Sequence, residues 1–251
     1  MEDDRLLVDL HKDAWRQGPG GDEETERALG LARVDRDAPL RVADMGCGTG
    51  ASALLLARLS NARITAVDLF REFLDVLEER AEEAGVSGRM ETLCASMEDL
   101  PFGDGEFDVI WSEGAIYNIG FGKGVLEWRR HLKTGGILAV SEITWLTGSR
   151  PSELQRHWER EYPGIDVASS KMGILETGGY SPIGYFVLPE HCWRDNYYRP
   201  MQARFDAFLE RNGNSEQARA IVEAEQREIE MYEEHHDYYG YGMYIATKVD
   251  D

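Results

Sequence analysis

The residues best suited to chemistry stand in one short stretch, Val42-Ala43-Asp44-Met45-Gly46-Cys47-Gly48-Thr49-Gly50. An apolar run ends there in a carboxylate, glycines recur at alternate positions, and a helical pattern begins at Ala51. Glycine allows a tight turn and lets a ligand approach backbone that any Cβ would obstruct. The helix start behind the loop offers free N–H groups and a positive dipole end, suited to a carboxylate or phosphate. Asp44, two residues ahead of the first glycine, opposes a pyrophosphate and favours a cationic group. Asp68 closes the next apolar run 18 residues after Gly50, a position from which a carboxylate accepts both hydroxyls of a ribose. Gly46, Gly48 and Ala51 also satisfy the looser dinucleotide fingerprint, so on the loop and Asp68 alone an adenosyl ligand and NAD both stay open.

These residues need a frame, and the surrounding pattern supplies one. From 40 to 142 short β-branched or apolar runs alternate with helical segments, which implies a parallel sheet with crossover helices. The strands expected are Leu40 to Met45, Arg63 to Asp68, Met90 to Cys94, Phe107 to Ser112 and Ile137 to Ser141, with Ile183 to Leu188 and Gly242 to Thr247 later. Phe70, Phe73, Leu74, Leu77, Ala81 and Ala84 recur at helical offsets, and Gly85 stops the helix. Ala51 to Leu59 is apolar nearly all round, as a helix packed on a sheet should be. Val125 to Leu132 reads as a third helix, with Arg129, Arg130, His131 and Lys133 on its solvated side, before a turn at Thr134-Gly135-Gly136. Two insertions interrupt the alternation, 144–179 with a helix from Ser152 to Tyr162, and 189–240. The second holds Glu223, Glu225, Glu228, Glu230, Glu233 and Glu234, read as the solvated face of a helix with Ile221, Val222 and Ile229 inward.

The chain has 251 residues, 42% of them hydrophobic and 10% aromatic, with 8 prolines, which excludes disordered and fibrous classes. Its 47 acidic against 27 basic residues leave a net charge of −20, a field that repels nucleic-acid phosphates and anionic lipid. Cys47, Cys94 and Cys192 stand far apart and no histidine pairs with them at ligand spacing, so neither a disulfide framework nor a metal site is expected. The acidic start and the lack of a long apolar run point to a cytoplasmic protein with no membrane partner.

Four separated blocks together resemble the class I S-adenosylmethionine-dependent methyltransferases. They are Asp44 to Gly50, Ala66-Val67-Asp68, the segment Glu98 to Ile110 that contains Leu100-Pro101-Phe102 and Phe107-Asp108, and Leu132-Lys133-Thr134-Gly135-Gly136. Thr134 stands where that family usually has proline. The likeness is closest to the small-molecule branch, methyltransferase type 11, with the ubiquinone and menaquinone C-methyltransferases. It implies an α/β, Rossmann-like seven-stranded sheet, mostly parallel with the last strand antiparallel, and helical lid insertions. One domain is expected over 1–251, made of an N-terminal helical or lid segment (1–39), a cofactor-binding core (40–142) and a substrate-side half (143–251).

Carried over by position, the resemblance sets the methionyl end of S-adenosylmethionine against Asp44, Gly46, Cys47, Gly48 and Gly50. Asp68 takes the ribose, Leu69 and Phe70 flank the adenine, and Ser96, Met97 and Glu98 lie at its edge. Glu113 and Tyr117 at the end of the fourth strand face the sulfonium. Apart from the resemblance, Trp15 to Gly21 holds a proline between glycines and reads either as a lid turn with Trp15 on the cofactor or as an ordinary surface loop. A sulfonium methyl is already activated, so alignment and exclusion of water supply most of the effect. Cys47 needs no role as a nucleophile. If the accepting atom carries a proton, Glu113, Tyr117, His157 and His191 are the candidate bases. The expected acceptor is a small molecule, neutral or cationic, its accepting atom open, on a monomer or homodimer. An NAD(P)-dependent oxidoreductase and a non-catalytic S-adenosylmethionine-binding protein are the alternatives.

Overall fold

Alternate residues of each strand feed opposite faces of one central sheet, as the period of two requires. In the computed structural model, which describes residues 2–250, Val42, Ala66, Val109 and Ala139 pack into one apolar cluster, and Ala43, Val67, Ile110 and Leu138 into the other. The strands are β1 (Arg41–Met45), β2 (Arg63–Asp68), β3 (Met90–Cys94), β4 (Phe107–Ser112), β5 (Leu132–Trp145), β6 (Asp166–Val167), β7 (Tyr180–Val187) and β8 (Tyr239–Lys248). Their order is β3-β2-β1-β4-β5-β8-β7, with the two-residue β6 alongside β5. β8 runs antiparallel to both β5 and β7, and the other pairings are parallel. The fold is the Rossmann-like mixed sheet expected, with β6 as an added edge.

The helices are α1 (Glu2–His11), α2 (Asp22–Ala32), α3 (Ala51–Leu59), α4 (Arg71–Glu83), α5 (Phe121–Trp128), α6 (Ser152–Glu161), α7 (Ala168–Thr177), α8 (Glu190–Trp193), α9 (Arg199–Gln202), α10 (Phe205–Arg211) and α11 (Glu216–His235). α11 starts at Ser215, whose hydroxyl accepts the Ala218 N–H at 3.3 Å. A π-helical turn at Arg194–Tyr198 joins α8 to α9. None of the described helices is long and apolar enough to cross a membrane.

Several sequence expectations shift: β7 begins at Tyr180 and not at Ile183, and β8 spans Tyr239–Lys248. The third helix begins four residues earlier, at Phe121, and ends at Trp128, because its apolar positions Phe121, Val125 and Trp128 face the core while 129–131 form a tighter turn. The basic cluster is therefore not a helix face. Arg129 donates to the carbonyls of Gly179 and Val249, His131 is buried, and Lys133 pairs with Asp108 at 2.7 Å. β5 also starts before the glycines rather than after them, and Gly135 takes a φ of 74° within it.

Strand order reverses between β1 and β4, since β1 lies between β2 and β4. The carboxyl ends of strands flanking such a reversal form a crevice where open α/β sheets bind ligands. Asp44 and the glycine loop leave β1 there, Asp68 leaves β2, and Glu113 follows β4. α1, α10 and α11 pack together, and α1 and α11 supply one wall of this crevice.

Candidate functional site

Gly46, Gly48 and Gly50 take φ values of 69°, 53° and 87°, the left-handed region that a side chain strains. The N–H groups of Gly46 and Cys47 donate to Val67 O at 2.8 and 2.9 Å, which ties the loop to β2. A Cβ at Gly46 would strike the Ala115 methyl, and one at Gly50 would strike Leu77 of α4. Gly50 is thus a packing glycine, away from the cleft. Asp44 lies behind the loop, 0% exposed. Its Oδ2 accepts Ser52 Oγ at 2.8 Å, whereas its Oδ1 is enclosed without a partner. Burial pushes the Asp44 carboxyl up to about 7, and the Glu113 and Asp68 carboxylates add to the rise. The Cys47 thiol is buried, and desolvation lifts its pKa well above the ordinary value, so it is no thiolate.

The segment between α1 and α2 folds over this loop. Thr49 N–H donates to Gln17 Oε1 at 2.8 Å, Gln17 Nε2 donates to Thr49 Oγ1 at 3.0 Å, and the Gln17 amide fills the space a Gly48 Cβ would take. Arg16 is buried beside it, donating to Glu113 Oε2 at 2.9 Å and Asp22 Oδ1 at 3.0 Å. Burial opposes the Arg16 charge, but Glu113 and Asp22 outweigh it and raise the pKa. Glu113 Oε1 accepts Thr25 Oγ1 at 2.7 Å and Trp111 Nε1 at 2.9 Å, so this carboxylate is held from three sides. Arg16, Gln17 and Glu113 wall a hollow of about 60 Å³ against Gly46, Cys47 and Gly48. Trp15 points elsewhere. Its ring is 43% exposed and lies 4.9 Å from the Arg80 guanidinium, and only its carbonyl reaches the loop, accepting Thr49 Oγ1 at 3.3 Å.

Next to the hollow lies a cleft of about 590 Å³. Asp68 Oδ2 accepts the Gly48 N–H at 2.8 Å and Oδ1 accepts the Phe70 N–H at 3.0 Å. Each oxygen keeps a second lone pair for another donor. Burial raises the Asp68 pKa against these N–H bonds. Gly46, Gly48, Asp68, Leu69, Phe70, Ser96, Met97 and Glu98 line the cleft together with Tyr117. Tyr117 is 40% exposed to it, and desolvation raises its phenol pKa, with Glu228 and Glu225 contributing.

Two candidate bases stand apart from this gathering. His157 on α6 packs edge-on to Trp158, and burial lowers its pKa. His191 on α8 lies 3.4 Å from Glu24. Neither lines the cleft or the hollow: His157 lies against Trp158 and His191 against Glu24 of α2. His191 instead joins Glu24 and Cys192, whose ligand-type atoms all lie within 4.8 Å of one another. Sequence spacing hides that group, because Glu24 arrives from another helix.

Several lining residues escaped sequence reasoning. His11 comes from α1, Tyr197 from the π-helical turn, and Glu225 and Glu228 from α11. Glu225 and Glu228 follow Ile221 by four and seven residues and precede Ile229 and Tyr232, so they share the helix face assigned to the core. That spacing was the available signal. The late aromatic cluster, by contrast, is packing: Tyr239, Tyr241 and Tyr244 are buried, with Tyr239 against Trp145 and Trp158.

Residues 43–140 match the methyltransferase domain family. The chain is 33% identical over 124 residues to methyltransferase GfsG of Streptomyces halstedii, covering 49% of this chain and 44% of that protein. It is 32% identical over 174 residues to the ubiquinone/menaquinone biosynthesis C-methyltransferase UbiE of Sinorhizobium fredii, covering 64% and 65%. The chain spans about half the length of the first curated relatives it matches. In fold it matches a methyltransferase from Geobacter sulfurreducens solved with S-adenosyl-L-homocysteine, with a TM-score of 0.84 at 20% identity over 96% of this chain and 97% of that one.

Proposed function

We propose that this chain, whose residues 43–140 match the methyltransferase domain family, transfers the methyl group of S-adenosylmethionine to a small-molecule acceptor. The observation that carries the reading is the pairing of two differently charged compartments on one glycine loop. The hollow sets the Arg16 guanidinium beside Glu113, with the partnerless Asp44 Oδ1 behind the glycines. That donor set suits a zwitterionic amino acid, with one cation for its carboxylate and carboxylates for its ammonium. The adjoining cleft holds Asp68 with free lone pairs between Leu69, Phe70 and Met97, which suits a ribose bearing an aromatic base. A pyrophosphate finds no such welcome, because Asp44, Asp68 and Glu113 all bear on the loop.

S-adenosylmethionine, when bound, supplies an electrophilic methyl on a sulfonium. The chain's own work is to bind and to exclude water. Asp68 orients the ribose, Arg16 and Glu113 fix the amino-acid end, and Gln17 with α1 closes the loop from solvent. Tyr117, at the mouth between the two compartments, borders the acceptor. Glu113 acts here as a positioning group, since its oxygens already take three donors.

Calorimetric titration with S-adenosylmethionine, S-adenosylhomocysteine and NADH tests the reading, with Asp68→Ala as control. Micromolar binding of the two adenosyl ligands, lost in the variant, is expected. Binding of NADH alone overturns it.

A further inference from the structure

The acceptor end of the cleft carries a charge pattern that the adenosyl ligand leaves unused. Asp4, Asp68, Glu98, Glu225 and Glu228 line the cleft, and no lysine or arginine does among the described residues. Glu98 is paired with Lys123 at 2.5 Å, and Asp68 is taken up by the ribose in the reading above. Asp4 already engages a partner, which leaves Glu225 and Glu228, three residues apart on one face of α11, where like charges repel. Glu225 is 14% exposed in its side chain, and its Oε2 is enclosed without a hydrogen-bond donor. Its Oε1 lies 3.7 Å from His11 Nε2, and the His11 Nδ1 is likewise enclosed and unpartnered in a residue 9% exposed. Glu228 Oε1 accepts the Tyr198 hydroxyl at 3.0 Å. Tyr117 and Tyr197 line the same end.

Two carboxylates with unfilled acceptor capacity, set among tyrosine rings, call for a cation with N–H donors. Resting on the methyltransferase reading, we propose that the acceptor is a small amine bound as its ammonium, held by Glu225 and Glu228 and faced by Tyr117 and Tyr197. The reaction then balances without another reagent. The ammonium passes one N–H proton to a carboxylate of the pair, and the freed nitrogen lone pair forms the N–CH₃ bond. The S–CH₃ bond breaks with its electron pair left on sulfur, so the positive charge moves from sulfur to nitrogen. The product is again an ammonium, and the carboxylate returns its proton to water. Glu228 is exposed on the cleft wall, yet the protein packed around it and the neighbouring Glu225 raise its carboxyl pKa, which favours its taking up the proton.

Three probes of one skeleton isolate the charge: 3,3-dimethylbutylamine, 3,3-dimethylbutan-1-ol and 3,3-dimethylbutyrate. Each is titrated calorimetrically into protein saturated with S-adenosylhomocysteine. The amine is expected to bind at least about tenfold more tightly than the alcohol, with no measurable binding of the carboxylate. Glu225→Gln and Glu228→Gln are near-isosteric, and each is expected to cut that preference to about threefold or less with S-adenosylhomocysteine affinity unchanged. Equal or tighter binding of the alcohol or the carboxylate overturns the proposal, as does an amine that fails to bind at millimolar concentration or binds both variants as before. Failure of S-adenosylhomocysteine itself to bind counts against the methyltransferase reading, and the same three titrations on the free protein still decide the charge preference.

Discussion

Replacing Asp44 by asparagine should change stability in a way that depends on pH with a known sign. Asp44 is 0% exposed, and burial raises its carboxyl from an ordinary 3.8 to about 7. A carboxyl whose native pKa exceeds its unfolded one binds its proton more tightly when folded. Its contribution to stability is therefore greatest at low pH and falls as pH climbs from about 4 to 7. At about 1.4 kcal/mol per pH unit, the part of that window between about pH 5 and 8 costs the wild type on the order of 2 to 3 kcal/mol. The asparagine side chain does not titrate, and its carbonyl can still accept the Ser52 hydroxyl. Urea unfolding of both proteins at about pH 5 and 8 reads the difference, and using the difference removes the effect of other raised carboxyls such as Glu228. The variant should gain on the wild type by roughly that amount over the interval, while losing affinity for S-adenosylhomocysteine. A difference constant with pH, or one that moves the other way, refutes the argument that Asp44 is buried at a cost to the free protein.

Gly46→Ala should lower the urea midpoint by an amount worth about 1–3 kcal/mol and weaken S-adenosylhomocysteine binding, because φ is 69° and the new methyl meets Ala115. Lys171→Met leaves Glu142, 0% exposed and 3.0 Å from the lysine, without its counter-charge. It should cost about 3–5 kcal/mol in urea unfolding, and Glu142→Leu in the same chain should recover most of that. Cys94 is exposed while Cys47 and Cys192 are buried, so a thiol reagent should modify Cys94 fast and the other two only on unfolding. His157→Ala and His191→Ala should change S-adenosylhomocysteine affinity by less than about twofold, since neither side chain lines the cleft.

The parallel half of the sheet was legible almost to the residue, with β2, β3 and β4 at their expected bounds. β2 and β4 are short and largely buried on both faces, and the edge strand β3 is a short run set off by the turn before Met90 and by Ala95-Ser96 after it, so pattern and boundary coincide. β5 and β8 ran longer than expected, as their outer residues Thr144, Trp145 and Tyr239 pack against the insertions rather than against the neighbouring crossover helices. Asp68 and the glycines could be read because a tight turn and a strand end constrain residue type locally. Trp15 was assigned to the cofactor for its size and neighbours, but Gln17 holds the loop and Trp15 stacks on Arg80. Nothing in a single turn sequence tells which of three adjacent side chains turns inward. The place of Glu225 and Glu228 on the cleft wall was missed for a different reason. A run of acids on a long helix is normally solvated, and only the arrival of α1 and the π-helical turn opposite that face makes it the wall of a cleft.

The most direct test of the account is a crystal structure of the protein grown with S-adenosylhomocysteine. The account predicts the ribose hydroxyls on Asp68, the adenine between Phe70 and Met97, and the amino-acid end between Arg16 and the Gly46–Gly48 loop. A ligand bound with its adenosine outside this cleft, or with its amino-acid end away from Arg16 and the glycines, contradicts it.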